Sequence, residues 1–427
     1  MANARRSART PAGGEIRERR SGEELDKAIK VFRKKLGDHV IRTASRLRTP
    51  RRLPTGVFTF DIATCGGIPI QGMTEVHGIR SSGKTTFTFH CIAQAQMVYP
   101  DKICVLVDQE RSFDPVWASK CGVDLERLEV LQADTGEDAV DLIEGMLKVD
   151  DVCLVVLDSI GTLTPHKEIE GAAEDQMVGV HAKLCTRLVR KATTALGVEG
   201  ARGHEVTFLC INQQRAGIGK WAPPGQEAVN LPGGKALEHA FLLIARFKNK
   251  ENIKRDSNGF ETLDFNEHAF KIEKNKICAG MRDGEYQLMR RDSDVFTALT
   301  EGMVDNAPIM LAYAKKLGLY TGAGRSWTLH LPDEEVTLGS ADEHIENLYS
   351  DPLLFWRFRN HLIATHAANL NMPEYFIEEF YAEDAPGVAY FSSLEDEPEE
   401  EEAEEEAEEE DEDEDETPVV SRTRRAR

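Results

Sequence analysis

The chain has 427 residues, 41% of them hydrophobic and 30% charged, with a formal net charge of −22. That apolar share is ordinary for a globular protein, and the length leaves room for one large core with smaller appendages. No apolar stretch is long enough to span a bilayer, and the opening MANARRSART lacks the apolar centre of a secretory signal, so neither a membrane nor a secreted protein is expected.

The charge is unevenly spread. Between positions 395 and 416 stand 19 acidic residues and no basic one, and setting these aside leaves the remaining chain at −3. The eight cysteines are scattered singly, with no pair at metal-ligand or redox spacing. Reduced, mostly buried thiols in a cytoplasmic protein are expected.

Residues 1–20 are rich in Arg, Ala and Gly and are expected to be disordered. Ser21 with Glu24 three positions later reads as a capping box opening a helix, continued by Leu25, Ile29, Phe32 and Leu36 at helical spacing. A basic, proline-containing stretch, 42–54, follows. The helix needs a surface to cover its apolar stripe, either its own core or a neighbouring subunit; the spacing leaves both open.

From Thr55 the pattern becomes α/β. An apolar run, 73–77, leads into GIRSSGKT at 78–85 and then a mixed apolar segment, 87–99, which fits a helix. Strand, glycine loop, Lys, Thr, helix is the P-loop arrangement. Gly78 and Gly83 let backbone N–H groups turn inward around phosphate oxygens, and the helix N-terminus adds its positive dipole end. Lys84 then reaches the outer phosphates and the Thr85 hydroxyl serves Mg²⁺. The bland alternative is a chance glycine loop entering a helix.

Three further apolar runs, 103–107, 152–157 and 206–211, read as buried strands of a largely parallel sheet. In such sheets ligands sit beyond the carboxyl ends of the strands. Past those ends come Asp108-Gln109-Glu110, Asp158-Ser159 and Asn212-Gln213-Gln214-Arg215, all expected to face the nucleotide. LVVLD, ending at Asp158, is a Walker-B pattern whose carboxylate orders Mg²⁺ or its water shell. Glu110 is the candidate general base for a water, or else an acid in the first turn of a helix.

Two long stretches, 164–179 and 214–232, read as loops, and loops of that length are functional or disordered. The second carries Arg215, Lys220 and Trp221, a basic and aromatic mixture suited to phosphate and base contacts, if it is not simply a mobile surface loop. AFKIEKNK at 269–276 alternates as a strand ending in Lys274-Asn275-Lys276, for which a solvated edge-strand end is the alternative. A small α+β domain at 303–394 follows, with helices at 308–317 and 352–368 and a strand at 327–331. The segment 395–427, acidic and then basic at its end, is expected to be disordered.

Several of these motifs, in order, resemble one family, the RecA-type homologous recombinases. The resemblance rests on the segment leading into and through GIRSSGKTT, on VLVDQERSFDP, on LVVLDSIGTLTPHKEIEG, on CINQQRAGIG and on EKNKICAG. It runs from about residue 25 to about residue 330. It implies a RecA-like ATPase core at 55–302, with 21–54 as an oligomerisation segment, and ATP with Mg²⁺ as cofactors. Gly78, Ile79, Arg80, Ser81, Ser82, Gly83, Lys84, Thr85 and Thr86 would cradle the phosphates, and Asp158 would hold the metal through water. Asp114 and Trp117 would contact adenine, Trp standing in place of the family's usual Tyr. Glu110 would activate the water and Gln213 would sense the γ-phosphate. Lys274 and Lys276 would reach the nucleotide of an adjacent protomer.

DNA contacts are implied for the two loops. In the first these are Glu170, Gly171, Met177, Val178 and Gly179, with Met177-Val178 replacing the family's His-Met. Arg190 joins them. In the second they are Arg215, Ile218, Gly219, Lys220, Trp221, Gly233 and Gly234. Three departures stand out: Ile79-Arg80 replaces Pro-Glu, Arg290 replaces an adenine-stacking Tyr, and the second loop is about three residues longer.

The implied partners are single-stranded and homologous duplex DNA, a homo-oligomeric helical filament, and single-strand-binding or loading proteins, with no membrane. The rivals are a hexameric RecA-fold helicase and a non-catalytic recombination mediator. The acidic tail resembles DNA in charge density, which suits competition for the basic loops, or else it serves solubility alone.

Overall fold

The computed structural model describes residues 22–37, 41, 44, 47–170, 178–216, 229–250 and 265–395. The basic N-terminus at 1–20 and the tail beyond 395 lie outside these. The chain divides into two units, Met1–Arg48 and Thr49–Arg427.

In the first unit, helix α1 spans Glu23–Leu36. Its N-cap is Gly22 and no side chain caps it, while Ser21 of the expected capping box lies outside the described residues. Glu23, Glu24 and Asp26 instead place negative charge in the first turn, and Arg33, Lys34 and Lys35 place positive charge in the last, both favourable to the helix dipole. None of its residues is buried, and Leu25, Val31, Phe32 and Leu36 are exposed.

The second unit opens with β1 (Arg52–Leu53), α2 (Phe58–Thr64), β2 (Ile68–Pro69), β3 (Met73–Gly78) and α3 (Lys84–Val98). It continues through β4 (Ile103–Asp108), α4 (Pro115–Lys120), β5 (Leu128–Leu131), α5 (Gly136–Met146) and β6 (Val152–Asp158). Next come α6 (His166–Glu170), α7 (Val178–Arg202), β7 (Thr207–Gln213), β8 (Arg215–Ala216), β9 (Val229–Asn230) and α8 (Lys235–Ala240). Strands β10 (Leu243–Lys250), β11 (Phe265–Asn275) and β12 (Asp283–Met289) follow. The C-terminal part holds α9 (Ala307–Leu317), β13 (Tyr320–Ala323), β14 (Ser326–His330), β15 (Glu335–Leu338), α10 (Ala341–Ser350), α11 (Pro352–Asn369), α12 (Glu374–Glu378) and α13 (Val388–Glu395).

The central sheet has eight strands in the order β12-β11-β10-β3-β7-β6-β4-β5. The strands from β10 to β5 run parallel, and β11 and β12 join antiparallel. The fold is therefore α/β with a largely parallel sheet. Strand β6 is buried at every residue, as a strand covered on both faces must be. One face packs Val76, Leu106, Val156 and Leu209 against Phe87 and Ile92 of α3. The other packs Val105, Val155, Leu157 and Phe208 against Ile143 of α5 and Leu188 of α7.

Helix α2 belongs to two cores at once. Phe60 and Ala63 join the sheet core, while Phe58, Ile62 and Cys65 join a third core with Met310, Phe358, Leu362 and Phe376. Between them, buried Asp61 accepts from Arg359 of α11 at 2.6 Å.

Two sequence expectations change. Residues 166–170 form α6 just after Pro165, so this part of the first long stretch is not loop. The strand read at 269–276 runs instead from Phe265 to Asn275, and β12 pairs with it only as far as Lys271, so its end at Lys274-Asn275 is flanked by β10 alone. Strands β5, β10 and β12 escape the sequence reading because each mixes exposed polar residues into a short pattern.

Candidate nucleotide site and adjoining loops

The loop after β3 is built by close backbone approach. A Cβ at Gly78 would lie 2.5 Å from the Phe247 carbonyl oxygen and 2.5 Å from Ser82 Oγ, so only glycine passes there. Gly83 has φ +84°, which a side chain resists. Lys84 is buried and donates from Nζ to the Ile79 carbonyl at 2.7 Å, and burial lowers its pKa against the pull of Asp158 and Glu110. Ile79, Arg80 and Ser81 are exposed at the crest of the loop.

A cavity of about 240 Å³ lies against this loop, lined by Ser81, Ser82, Gly83, Lys84, Thr85, Thr86 and Trp117. A glycine-gated turn, a helix N-terminus and a lysine around one cavity fit a polyphosphate. Thr85 donates to Asp158 Oδ2 at 3.1 Å, bringing the hydroxyl and carboxylate that suit Mg²⁺ side by side. Burial, and then the neighbouring Glu110, raise the Asp158 carboxyl to about 7. A cation bound there would favour the ionised form.

Glu110 is outside any helix, five residues before α4, so the helix-acid alternative fails. Its Oε1 accepts the Ser159 hydroxyl at 2.6 Å and also the side-chain amide of Gln213. Glu110, Asp158 and Gln213 thus converge at the carboxyl ends of neighbouring strands. Asn212 does not join them. Its amide donates to buried Glu75 at 2.8 Å and to the Pro232 carbonyl at 3.1 Å, because successive strand residues alternate faces. Asp108 is turned inward, accepting from the backbone N–H groups of Ser112 and Phe113.

Asp114 caps α4 by accepting from Trp117 N at 3.1 Å, and the Trp117 indole N–H donates to Thr86 at 3.1 Å. The sequence reading missed three more cavity residues, Asn266, His268 and Leu288, contributed by β11 and β12. His268 is buried, stacks on Tyr286 with ring centres 5.2 Å apart, and leaves so little room that a Cβ at Gly83 would lie 2.8 Å from its ring. No motif marks it; only the pairing of β11 beside the loop does.

Lys274 and Lys276 are not at this cavity. In register, Lys274 stands beside Ile244 and so level with Glu75, whereas Gly78 is level with Phe247 and Phe270. At about 3.3 Å per residue, that is about 10 Å back along the sheet. Lys274 Nζ donates to the Glu238 carbonyl and to the His239 carbonyl at 3.3 Å. Arg290 is exposed at the end of β12.

In the loop segments, Glu170 ends α6, Val178 and Gly179 open α7, and Arg190 is exposed along it. The Arg215 backbone pairs with Asn230 as a short ladder at the base of the second loop. Gly233 and Gly234 both have positive φ, and a Cβ at Gly233 would collide with Leu237. Gly171, Met177, Ile218, Gly219, Lys220 and Trp221 lie outside the described residues.

Comparison with known proteins is consistent with this arrangement. The model of the RecA N-terminal domain matches residues 23–293. The chain is 32% identical over 314 residues to Protein RecA of Prochlorococcus marinus strain MIT 9515, covering 73% of this chain and 80% of that protein. It is 36% identical over 255 residues to Protein RecA of strain MIT 9303, covering 60% and 62%. Protein RecA of Synechococcus elongatus is 34% identical over 255 residues, covering 60% and 66%. With the P-loop, Asp158, Glu110 and Gln213 all inside the matched span, the chain belongs to the RecA family.

Proposed function

We propose that the chain is an ATP-dependent DNA recombinase that assembles as a helical filament on single-stranded DNA and exchanges strands with homologous duplex. The observation that best supports this is the hydrogen bond from Gln213 to Glu110, because Gln213 is also the last residue of β7 before the second loop. A change in that loop therefore reaches the carboxylate proposed to act as base.

Residues 78–86 hold the phosphates, Lys84 neutralises developing charge, and Trp117 covers the base. Thr85 and Asp158 would hold Mg²⁺, which would supply charge stabilisation at the phosphates. Glu110 orients and deprotonates water, held in place by Ser159. Lys274 and Lys276, set back from their own loop, serve the site of a neighbouring protomer, so that nucleotide favours assembly. Residues 164–179 and 214–232, with Arg190, contact DNA.

The test is joint-molecule formation between homologous DNAs with ATP, alongside electron microscopy. Open filaments with joint molecules are expected. Closed rings that unwind duplex would instead establish the helicase, and the absence of hydrolysis would establish the mediator.

A further inference from the structure

Strand β11 carries a bulge just before Lys274. Ile244 of β10 pairs with Lys274 and Ala245 pairs with Ile272, so no residue of β10 stands opposite Glu273. A bulge of this kind bends its strand and re-aims the side chain it carries. Here the extra residue is an acid, and two other strands hold its carboxylate.

His77 of β3 meets Glu273 Oε2 through Nε2 at 3.0 Å. Arg246 of β10 places Nε 3.3 Å from Glu273 Oε1, an ion pair. His77 and Arg246 are neighbours in register, so three successive strands of the sheet, β3, β10 and β11, close on one carboxylate. His77 is only 1% exposed and its Nδ1 has no partner, so Glu273 alone among the described residues satisfies the imidazole. The His77 hydrogen bond, then the charges of His77, Arg246 and Lys271, hold the Glu273 carboxyl below its usual range despite partial burial.

The positions of these residues in the chain connect two distant features. His77 immediately precedes Gly78, where the phosphate loop begins, and Glu273 immediately precedes Lys274. β12 pairs with β11 only as far as Lys271. Beyond that point the setting of Lys274 depends on β10 and on how Glu273 is held. Pro232, at the end of the second loop, lines the same cavity of about 400 Å³ as His77, Arg246, Glu273 and Lys274.

We propose that Glu273 is a positioning residue, clasped by His77 and Arg246 so that the strand leading into one protomer's phosphate loop sets where its Lys274 reaches the next protomer's nucleotide. This rests on the function proposed above, in which that lysine serves a neighbour. Glu273 acts through the backbone of the bulge and touches no nucleotide. Glu273→Gln keeps the shape and gives up the charge that His77 and Arg246 hold. Lys274 then loses its setting, while the phosphate loop of the same protomer keeps its own backbone N–H groups and Lys84.

The test is complementation between full-length variants, read as ATP hydrolysis on single-stranded DNA. Each active interface takes a phosphate loop from one protomer and a lysine from the next. Glu273→Gln should bind ATP within about twofold of the wild type and hydrolyse it about tenfold more slowly, a loss of positioning and not of binding. Lys84→Ala is inactive at its own loop but carries an intact clasp and lysine. In a random one-to-one mixture about a quarter of the interfaces join a Glu273→Gln loop to a Lys84→Ala lysine and are whole, so hydrolysis should exceed the sum of the separate variants about fivefold. A Glu273→Gln protein damaged at its own loop would show no such gain. His77→Phe should behave as Glu273→Gln does, and His77→Gln, which keeps a donor, should recover most of the rate.

Lys274→Ala separates the two readings. If it hydrolyses ATP as the wild type does, the neighbouring-lysine reading fails and the clasp fails with it. If Lys84→Ala complements Lys274→Ala but not Glu273→Gln, or if Glu273→Gln hydrolyses at the wild-type rate, the clasp alone is overturned.

Discussion

Gln213, the last residue of β7, donates its side-chain amide to the same Glu110 oxygen that accepts the Ser159 hydroxyl. The carboxylate is held from two strand ends, one of which leads straight into the second loop. Glu110→Gln should therefore keep nucleotide affinity within about twofold while lowering DNA-stimulated hydrolysis by about 100-fold or more, the usual scale of a lost general base. Gln213→Ala should keep basal hydrolysis and lose most of its stimulation by DNA. Steady-state phosphate release with and without single-stranded DNA measures both.

Trp117 faces the cavity with its indole tied to Thr86. Trp117→Ala should weaken ATP binding by about fivefold, from a lost stacking contribution of about 1 kcal/mol, and Trp117→Tyr should recover most of it. Fluorescent-nucleotide titration distinguishes the two. Equal affinity in all three proteins would remove Trp117 from the base site.

Asp61 and Arg359 form an ion pair whose side chains are almost wholly buried, further held by Thr55 on one side and the Gly66 carbonyl on the other. Removing one partner strands the other charge. Arg359→Met should cost about 3–5 kcal/mol in urea unfolding, and adding Asp61→Asn should return part of that loss. A double variant no more stable than Arg359→Met would show that the cost is packing alone.

His90 is buried in α3 with its Nε2 unpartnered, and burial lowers its pKa to about 4. In the unfolded chain it titrates near 6.5, so between those values the unfolded state binds more protons. Its contribution to stability is present above pH 6.5 and lost as the pH falls towards 4. The loss is at most about 3 kcal/mol. His90→Gln should flatten that part of the acid limb relative to the wild type. Parallel urea midpoints from pH 7 to 4 check it.

The sheet strands 103–107 and 152–157 were legible because burial on both faces leaves continuous apolar runs. The faces of their polar ends were not. Asn212 and Gln213 are adjacent and equally polar, yet one binds Glu75 and the other Glu110, since orientation depends on how β7 pairs with β3 and β6. The N-cap of α1 moved from Ser21 to Gly22 for a related reason: a cap depends on the backbone angle at one residue, which spacing does not reveal.

What the residues alone determined was the phosphate loop and the carboxylates at the strand ends. The loop is local: eight consecutive positions carry the glycines, the lysine and the threonine, and their chemistry needs only the turn they make themselves. Tertiary structure decided the rest. His268 meets Gly83 only because β11 joins the sheet, Asp61 meets Arg359 across 298 positions, and Arg52 grips the carbonyls beside Cys65 and Cys278. Such contacts leave no spacing in the chain, since chain folding and close packing, and not sequence neighbourhood, bring the partners together.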